Sequence, residues 1–371
     1  VTFQLPGFKK SLIFLFFSFS VFPLNSSEEQ NKLYPVFDLH CDTLYQNLKN
    51  PLDIKQNSGS IDIEKMKKGG YMAQVFAIWV PPGKGWGTVE SMASAFYKWK
   101  EQYPDEIALA LTGTQILKAR QLGQIAGVLG IEGLSSLSGD ESKVDLLYHY
   151  GIRILGLTWF DSNEFAGSSN SKDKRGNYGL TEKGIRLVKM ANNLGMVIDV
   201  SHASDQTVRD VAKFSNDPFI ASHSCSRVLM DIERNLSDEM IKIISQKGGV
   251  VGVNFHRGFL SSKPRNMISL LDVVEHIVHI VKVAGIDHVA LGSDFDGSSP
   301  PQDLDNAEKI QSLAVQLLKR GFSEMDVKKI MGLNALRVFT AVTEKKKTEK
   351  ILSHIGGIIP TPSISSHPLL F

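Results

Sequence analysis

The chain has 371 residues and a formal net charge of +2 at pH 7. That near-neutral balance gives no bulk electrostatic pull toward nucleic acid or an anionic membrane surface. No internal repeat and no extended low-complexity tract breaks it up.

Lys9 and Lys10 precede an apolar run at 11–24, SLIFLFFSFSVFPL, and a polar NSSEEQN follows. A positive start, a short apolar stretch and a polar exit form the pattern of a secretory signal. The run is short for a spanning helix, which needs roughly 20 residues; an uncleaved anchor stays open. No clean Ala-x-Ala marks a cleavage site, and no Cys near the end of the run offers a lipid attachment point. Residues 1–30 are therefore expected to be a signal peptide or N-terminal anchor, with membrane association through that segment. The protein is expected to be exported, periplasmic or associated with the cell envelope. Val1 suggests a non-standard start codon and hence a bacterial source.

Eight apolar runs then read as strands: 36–42 (VFDLHCD), 71–80 (YMAQVFAIWV), 125–133 (IAGVLGIEG), 152–159 (IRILGLTW), 196–202 (MVIDVSH), 218–224 (PFIASHS), 248–255 (GGVVGVNF) and 288–297 (HVALGSDFDG). Most are nearly continuous in apolar residues, as strands covered on both faces are. Helical segments separate most of them. In 181–194, Ile185, Val188, Ala191 and Leu194 fall at helical spacing and Gly195 reads as a stop. The segment 237–247 opens on Ser237 as an N-cap, and 269–284 closes at Gly285. Eight strands alternating with helices predict a (β/α)8 TIM-type barrel, which needs about 250 residues. An open doubly wound sheet would alternate too. The expected organisation is a leader at 1–30, one barrel domain at 31–343 and a C-terminal tail at 344–371, whose basic EKKKTEK reads as a solvated segment.

Six polar side chains stand where these runs end: His40, Asp42, Glu132, His202, His223 and Asp294. In a barrel the C-terminal ends of the strands converge on one mouth, where catalytic groups collect. His and carboxylate without a thiolate framework suit hydrolytic metal chemistry. Residues two apart on a strand share a face, so His40 and Asp42 can reach one ion together. Glu132 has two oxygens and can bridge two ions, with His202 and His223 completing the second site. His276 and His279 lack the H-E-x-x-H form and read as helix packing or exposed positions. His149, His256, His288, His354 and His367 are read as structural or solvated. Cys41 and Cys225 read as small buried residues, although export would permit a disulfide.

Taken together, DLHCDTL (38–44), GIEG (130–133), GLTEKGIRLVKMANNLGMVIDVSH (179–202), ASHSCSRVLMDIERNLSDEM (221–240), LGSDFDG (291–297) and GLNALRVF (332–339) resemble the membrane dipeptidase family, over about 36–340. The resemblance implies a zinc metallopeptidase that hydrolyses dipeptides. It implies two Zn²⁺ per chain, one on His40, Asp42 and Glu132, the other on Glu132, His202 and His223, with a bridging hydroxide as nucleophile. Asp294 matches the acid/base residue and Asp296 a residue behind it. Arg234 matches the residue that binds the substrate's terminal carboxylate, with Arg227 a weaker candidate. A homodimer is implied by the resemblance alone.

One position departs from the pattern. Renal-type members carry a His after the fourth strand that contacts the substrate carbonyl, and LTWF here places Trp159 there. Trp cannot take up that charge, so Trp159 is expected either to pack at the barrel mouth or to face substrate, and Asn163 becomes a candidate for the lost contact. The loop 161–179 is long and polar enough for a lid or binding loop. Two other readings stay open: a related binuclear amidohydrolase acting on a cyclic amide or lactone, and a catalytically silent peptide-binding barrel. The first is disfavoured because its relatives use H-x-H and a ligating Lys on the fourth strand, and IRILGLTW has no Lys.

Overall fold

Among the described residues there are nine parallel strands: β1 (Val36–Cys41), β2 (Tyr71–Trp79), β3 (Ile107–Leu109), β4 (Ile125–Glu132), β5 (Ile152–Gly156), β6 (Val197–Asp199), β7 (Ile220–Ala221), β8 (Val250–Val253) and β9 (Val289–Leu291). They belong to a computed structural model that describes residues 33–170, 172 and 178–344. The expected leader, nearly all of the expected tail and part of loop 161–179 lie outside the described residues. Among the described residues, no helix is long and apolar enough to cross a membrane.

The sheet runs β2, β1, β9, β8, β7, β6, β5, β4 in hydrogen-bonding order, and β2 pairs with β4 to close it. That closing register runs unbroken from Ala73↔Ala126 to Trp79↔Glu132. The eight expected strands are thus the eight staves of a (β/α)8 barrel. Strand β3 was not anticipated. It pairs only with the first residues of β4, Ile125 to Gly127, before β5 takes over from Leu129. Three residues are too few to show a periodic signal.

The reason for the continuous apolar runs is visible in the packing. Neighbouring residues divide between two apolar clusters. Val75, Val128, Ile154, Ile220 and Val250 gather in one, together with Phe37 and Phe339. Their sequence neighbours Phe76, Leu129, Leu155, Ala221 and Val251 belong to the other, which includes the surrounding helices. Each strand is therefore apolar on both faces, one turned to the barrel interior and one to the helical shell.

The helices open at Ser237 and end at Gly195 and Gly285 as expected, and Thr181 and Ser269 are further caps. Thr181 caps Glu182–Leu194 by accepting from the Gly184 amide, and Gly195 ends it at φ +72°. Ser237 caps Asp238–Gln246. Ser269 and Asp272 form a reciprocal capping box on Leu270–Ala284. The buried stripe of Glu182–Leu194 is rotated slightly from the expected one: Gly184, Leu187, Val188 and Ala191 are buried, while Ile185 and Leu194 lie at its edge.

Two glycines matter for the site. A Cβ on Gly252 would lie 2.0 Å from the Ser222 carbonyl oxygen, and one on Gly292 1.8 Å from the same atom. Both must be glycine for the chain just past β7 to sit against β8 and β9. That close approach sets where His223 enters the mouth.

Leu187→Ala, at a fully buried position, should destabilise the domain by about 2–5 kcal/mol. Urea titration followed by circular dichroism checks this; a change near zero would mean the helix does not pack on the barrel as described.

Candidate metal centre

His40 lies within β1 and Asp42 directly follows it, while Glu132 is the last residue of β4. The other three stand just past their strands: His202 beyond Asp199, His223 beyond Ala221 and Asp294 beyond Leu291. The expectation of strand-borne ligands is corrected for these three. His202 and Asp294 adopt left-handed backbone, φ +65° and +59°, which costs a non-glycine residue energy. Such strain is found where side chains must be aimed at a functional site.

All six side chains meet. Glu132 is central, and its two oxygens face different partners. Oε1 lies 3.0 Å from His202 Nε2 and 3.3 Å from His223 Nε2. Oε2 lies 3.6 Å from His40 Nε2. His40 Nε2 is 3.3 Å from Asp42 Oδ2. Donor atoms of His40, Glu132 and His223 form one group suited to a metal ion, and those of His40, Asp42 and Asp294 a second.

The electrostatics ask for cations. Three carboxylates converge in a buried space. Burial pushes Glu132 up to about 8 and, with help from Asp42, Asp294 up to about 7. For His40, burial opposes the charge, but Glu132, Asp42 and Asp294 together lift it to about 10. Burial and the nearby cationic groups hold His202 and His223 well below the usual histidine range, so both are neutral imidazoles with a lone pair to give. Their Nε2 atoms face each other at 3.1 Å. His40 Nε2 is buried without a hydrogen-bond partner. Mixed imidazole and carboxylate donors around such an orphaned nitrogen fit divalent zinc.

The surroundings orient these donors. Ser222 Oγ donates to Asp199 Oδ2 at 2.6 Å and lies 2.7 Å from His223 Nδ1. His223 therefore donates from Nδ1 and presents Nε2 to the pocket. Asp38 grips the Ser293 amide and hydroxyl at 2.8 and 2.6 Å, tying β1 to the turn that carries Asp294. Asn254 donates to Asp294 Oδ2 at 3.0 Å. Gly297 leaves room for the carboxylates: a Cβ there would sit 1.9 Å from Asp42 Oδ2.

The remaining candidates separate. Trp159 lines the pocket above the centre, its ring edge-on to Trp79 at 4.8 Å and 6.4 Å from His202. Asn163 is corrected: it is buried, donates to the Leu157 carbonyl and accepts from the Phe165 and Ala166 amides, so it shapes its own loop and does not line the pocket. Arg234 braces the ligand loop, donating to the His223 carbonyl at 2.6 Å and Ser224 Oγ at 2.7 Å. Arg227 is taken up by a two-pronged pair with Asp205. Asp296 turns away from the ligands, accepting from Thr43 and the Ser60 amide. Cys41 and Cys225 are both free and buried. His276 is a structural residue, bonded to the Ser226 amide and the Leu260 carbonyl.

His256 is a pocket residue that sequence reasoning passed over. It follows Val253, the end of β8, by the same interval that separates His202 from Asp199 and Asp294 from Leu291. The strand-end rule pointed to it. Its Nδ1 accepts from the Ser299 amide at 3.2 Å, which leaves the proton on Nε2.

A family model described as membrane dipeptidase, peptidase family M19, matches residues 27–352. The chain belongs to the membrane dipeptidase family. Among curated relatives, dipeptidase verJ of Clonostachys rogersoniana is 36% identical over 66% of this chain, which spans 62% of that relative's length. The solved structure of a family M19 metallopeptidase named dipeptidase AC is 27% identical, with TM-score 0.77, covering 85% of this chain and all of that one. A Rhodobacter sphaeroides metallopeptidase, solved with a phosphinate mimic of the dipeptide L-Ala-D-Ala, is 26% identical with TM-score 0.76, covering 84% of this chain and all of that one. Membership in this family accounts for both the barrel and the metal-type donor set.

Without metal, the surrounding carboxylates hold His40 up and burial holds Glu132 up, so the cluster keeps protons at neutral pH that His40 and Glu132 share between them. A cation must displace them, so zinc binding should release protons and tighten as pH rises from about 6 to about 9. Calorimetry in buffers of different ionisation enthalpy reads this directly; heats independent of buffer would contradict it.

Proposed function

We propose that this chain is a zinc-dependent dipeptidase holding two Zn²⁺ on the five ligands predicted from its sequence. The single observation that carries the reading is the division of Glu132 between two donor sets, Oε1 toward His202 and His223 and Oε2 toward His40. Zinc bound there supplies an acidified water and a polarised scissile carbonyl.

The chain's own residues do the rest. Asp294 stands beside the ligands, raised toward neutrality. It can take a proton from the attacking water and deliver it to the departing amine. Arg234 carries a positive charge at the loop after β7, and a guanidinium fork matches the carboxylate at the end of a dipeptide. It already donates to His223 and Ser224, so substrate binding there would be coupled to the position of a ligand. Trp159 walls the pocket on the side where renal-type relatives place a His, and it leaves the carbonyl to the cations. The inner pocket, about 330 Å³, suits a small main chain and not a long peptide. The relative solved with a dipeptide mimic supports the same substrate class. The leader-like sequence at 9–24 supports export, and the family resemblance supports a homodimer.

The test is hydrolysis of a broad dipeptide panel by the zinc-loaded protein. Activity should be present in the wild type. Asp294→Asn should lower kcat by about 10²–10⁴-fold with zinc content retained. Zinc-loaded protein that leaves every dipeptide intact would overturn the reading.

A further inference from the structure

A second cavity, of about 830 Å³, adjoins the metal pocket. The two share Glu132, Trp159 and Phe160 on their walls. The outer one is formed by the loops that follow β2, β4 and β5, through residues such as Pro82, Ser135 and Trp159. These three strands are consecutive around the barrel, since β2 and β4 pair where it closes. Going round from them, β7 and β8 lie on the far side of the ring. Arg234 and His256 come from the loops after those two strands.

This arrangement gives the mouth a polarity. If the terminal carboxylate is drawn to the Arg234 side and the scissile carbonyl lies over Glu132, the N-terminal residue must extend toward β2, β4 and β5. We propose that the outer cavity receives the side chain of the substrate's N-terminal residue and that the protein favours dipeptides in which this side chain is large. The inference rests on the dipeptidase reading and adds to it which residue is selected.

Size supports the assignment. The inner pocket already accommodates a small main chain, and the outer one has the volume of a site for a drug-sized ligand. Its junction with the inner pocket is aromatic. Trp159 is stacked edge-on to Trp79, and Phe160 is 56% exposed beside it. A large apolar ring left open at the edge of a cavity gains from being covered. On the far side of the mouth the pocket is walled by His256, Phe259, Gly297 and Ser298, with Arg234 over the Phe259 ring at 5.6 Å. Large groups have less room there.

The experiment compares kcat/KM for Ala–Ala, Trp–Ala and Ala–Trp with the zinc-loaded full chain. Trp–Ala should equal or exceed Ala–Ala, and Ala–Trp should fall at least tenfold below Trp–Ala. Ser135→Trp, which fills the outer cavity from an exposed position, should lower the Trp–Ala to Ala–Ala ratio at least tenfold. Equal cleavage of Ala–Trp and Trp–Ala, or a Ser135→Trp effect that leaves that ratio unchanged, overturns the assignment while leaving the dipeptidase reading standing. If none of the three is cleaved, the assignment is overturned, and the broad dipeptide panel decides separately whether the dipeptidase reading falls with it.

Discussion

One carboxylate holds the site together. Glu132 ends β4, and β4 is the strand that seals the barrel against β2, with Trp79 and Glu132 as the last pair of that register. The residue whose two oxygens face different donor sets is thus fixed by barrel closure itself. Its freedom to drift is small, because the pairing runs without a bulge along seven consecutive residue pairs. His40, His202 and His223 come from strands and loops spread around the ring and meet at this point.

Such a cluster is costly in isolation. Buried carboxylates without cations resist ionisation, and burial accordingly pushes Glu132 and Asp294 above the usual carboxylate range. The fold supplies partial compensation through fixed hydrogen bonds. Asp199, Ser222 and His223 form one chain, Asp38 and Ser293 another, and Asn254 steadies Asp294. These contacts orient donors without neutralising them, so affinity for a dication is retained. Strained backbone at His202 and Asp294 belongs to the same account: stability is given up where side chains must be aimed.

Much of this was legible in the sequence, for a physical reason. The eight staves show as apolar runs because each is covered on both faces, and the polar residue at the end of a run is where that cover stops. The cap at Ser237 and the stops at Gly195 and Gly285 were legible because they depend on local backbone geometry and hydrogen bonds. What escaped depends on distance in space. The pairing of β3 with β4 leaves no periodic trace. Asn163 has the right chemistry for substrate, but its loop uses all of it internally. The resemblance ranked Arg234 above Arg227, and their partners, Asp205 for Arg227 against His223 and Ser224 for Arg234, give the physical difference between them. His256 was readable from its offset past β8 but was set aside as one more histidine.

Diffraction from zinc-loaded crystals, with anomalous data on both sides of the zinc absorption edge, tests the central claim most directly. Two zinc peaks should flank the Glu132 carboxylate, one beside His40 and Asp42 and the other beside His202 and His223. A single peak, or a pair that Glu132 does not touch, would contradict it.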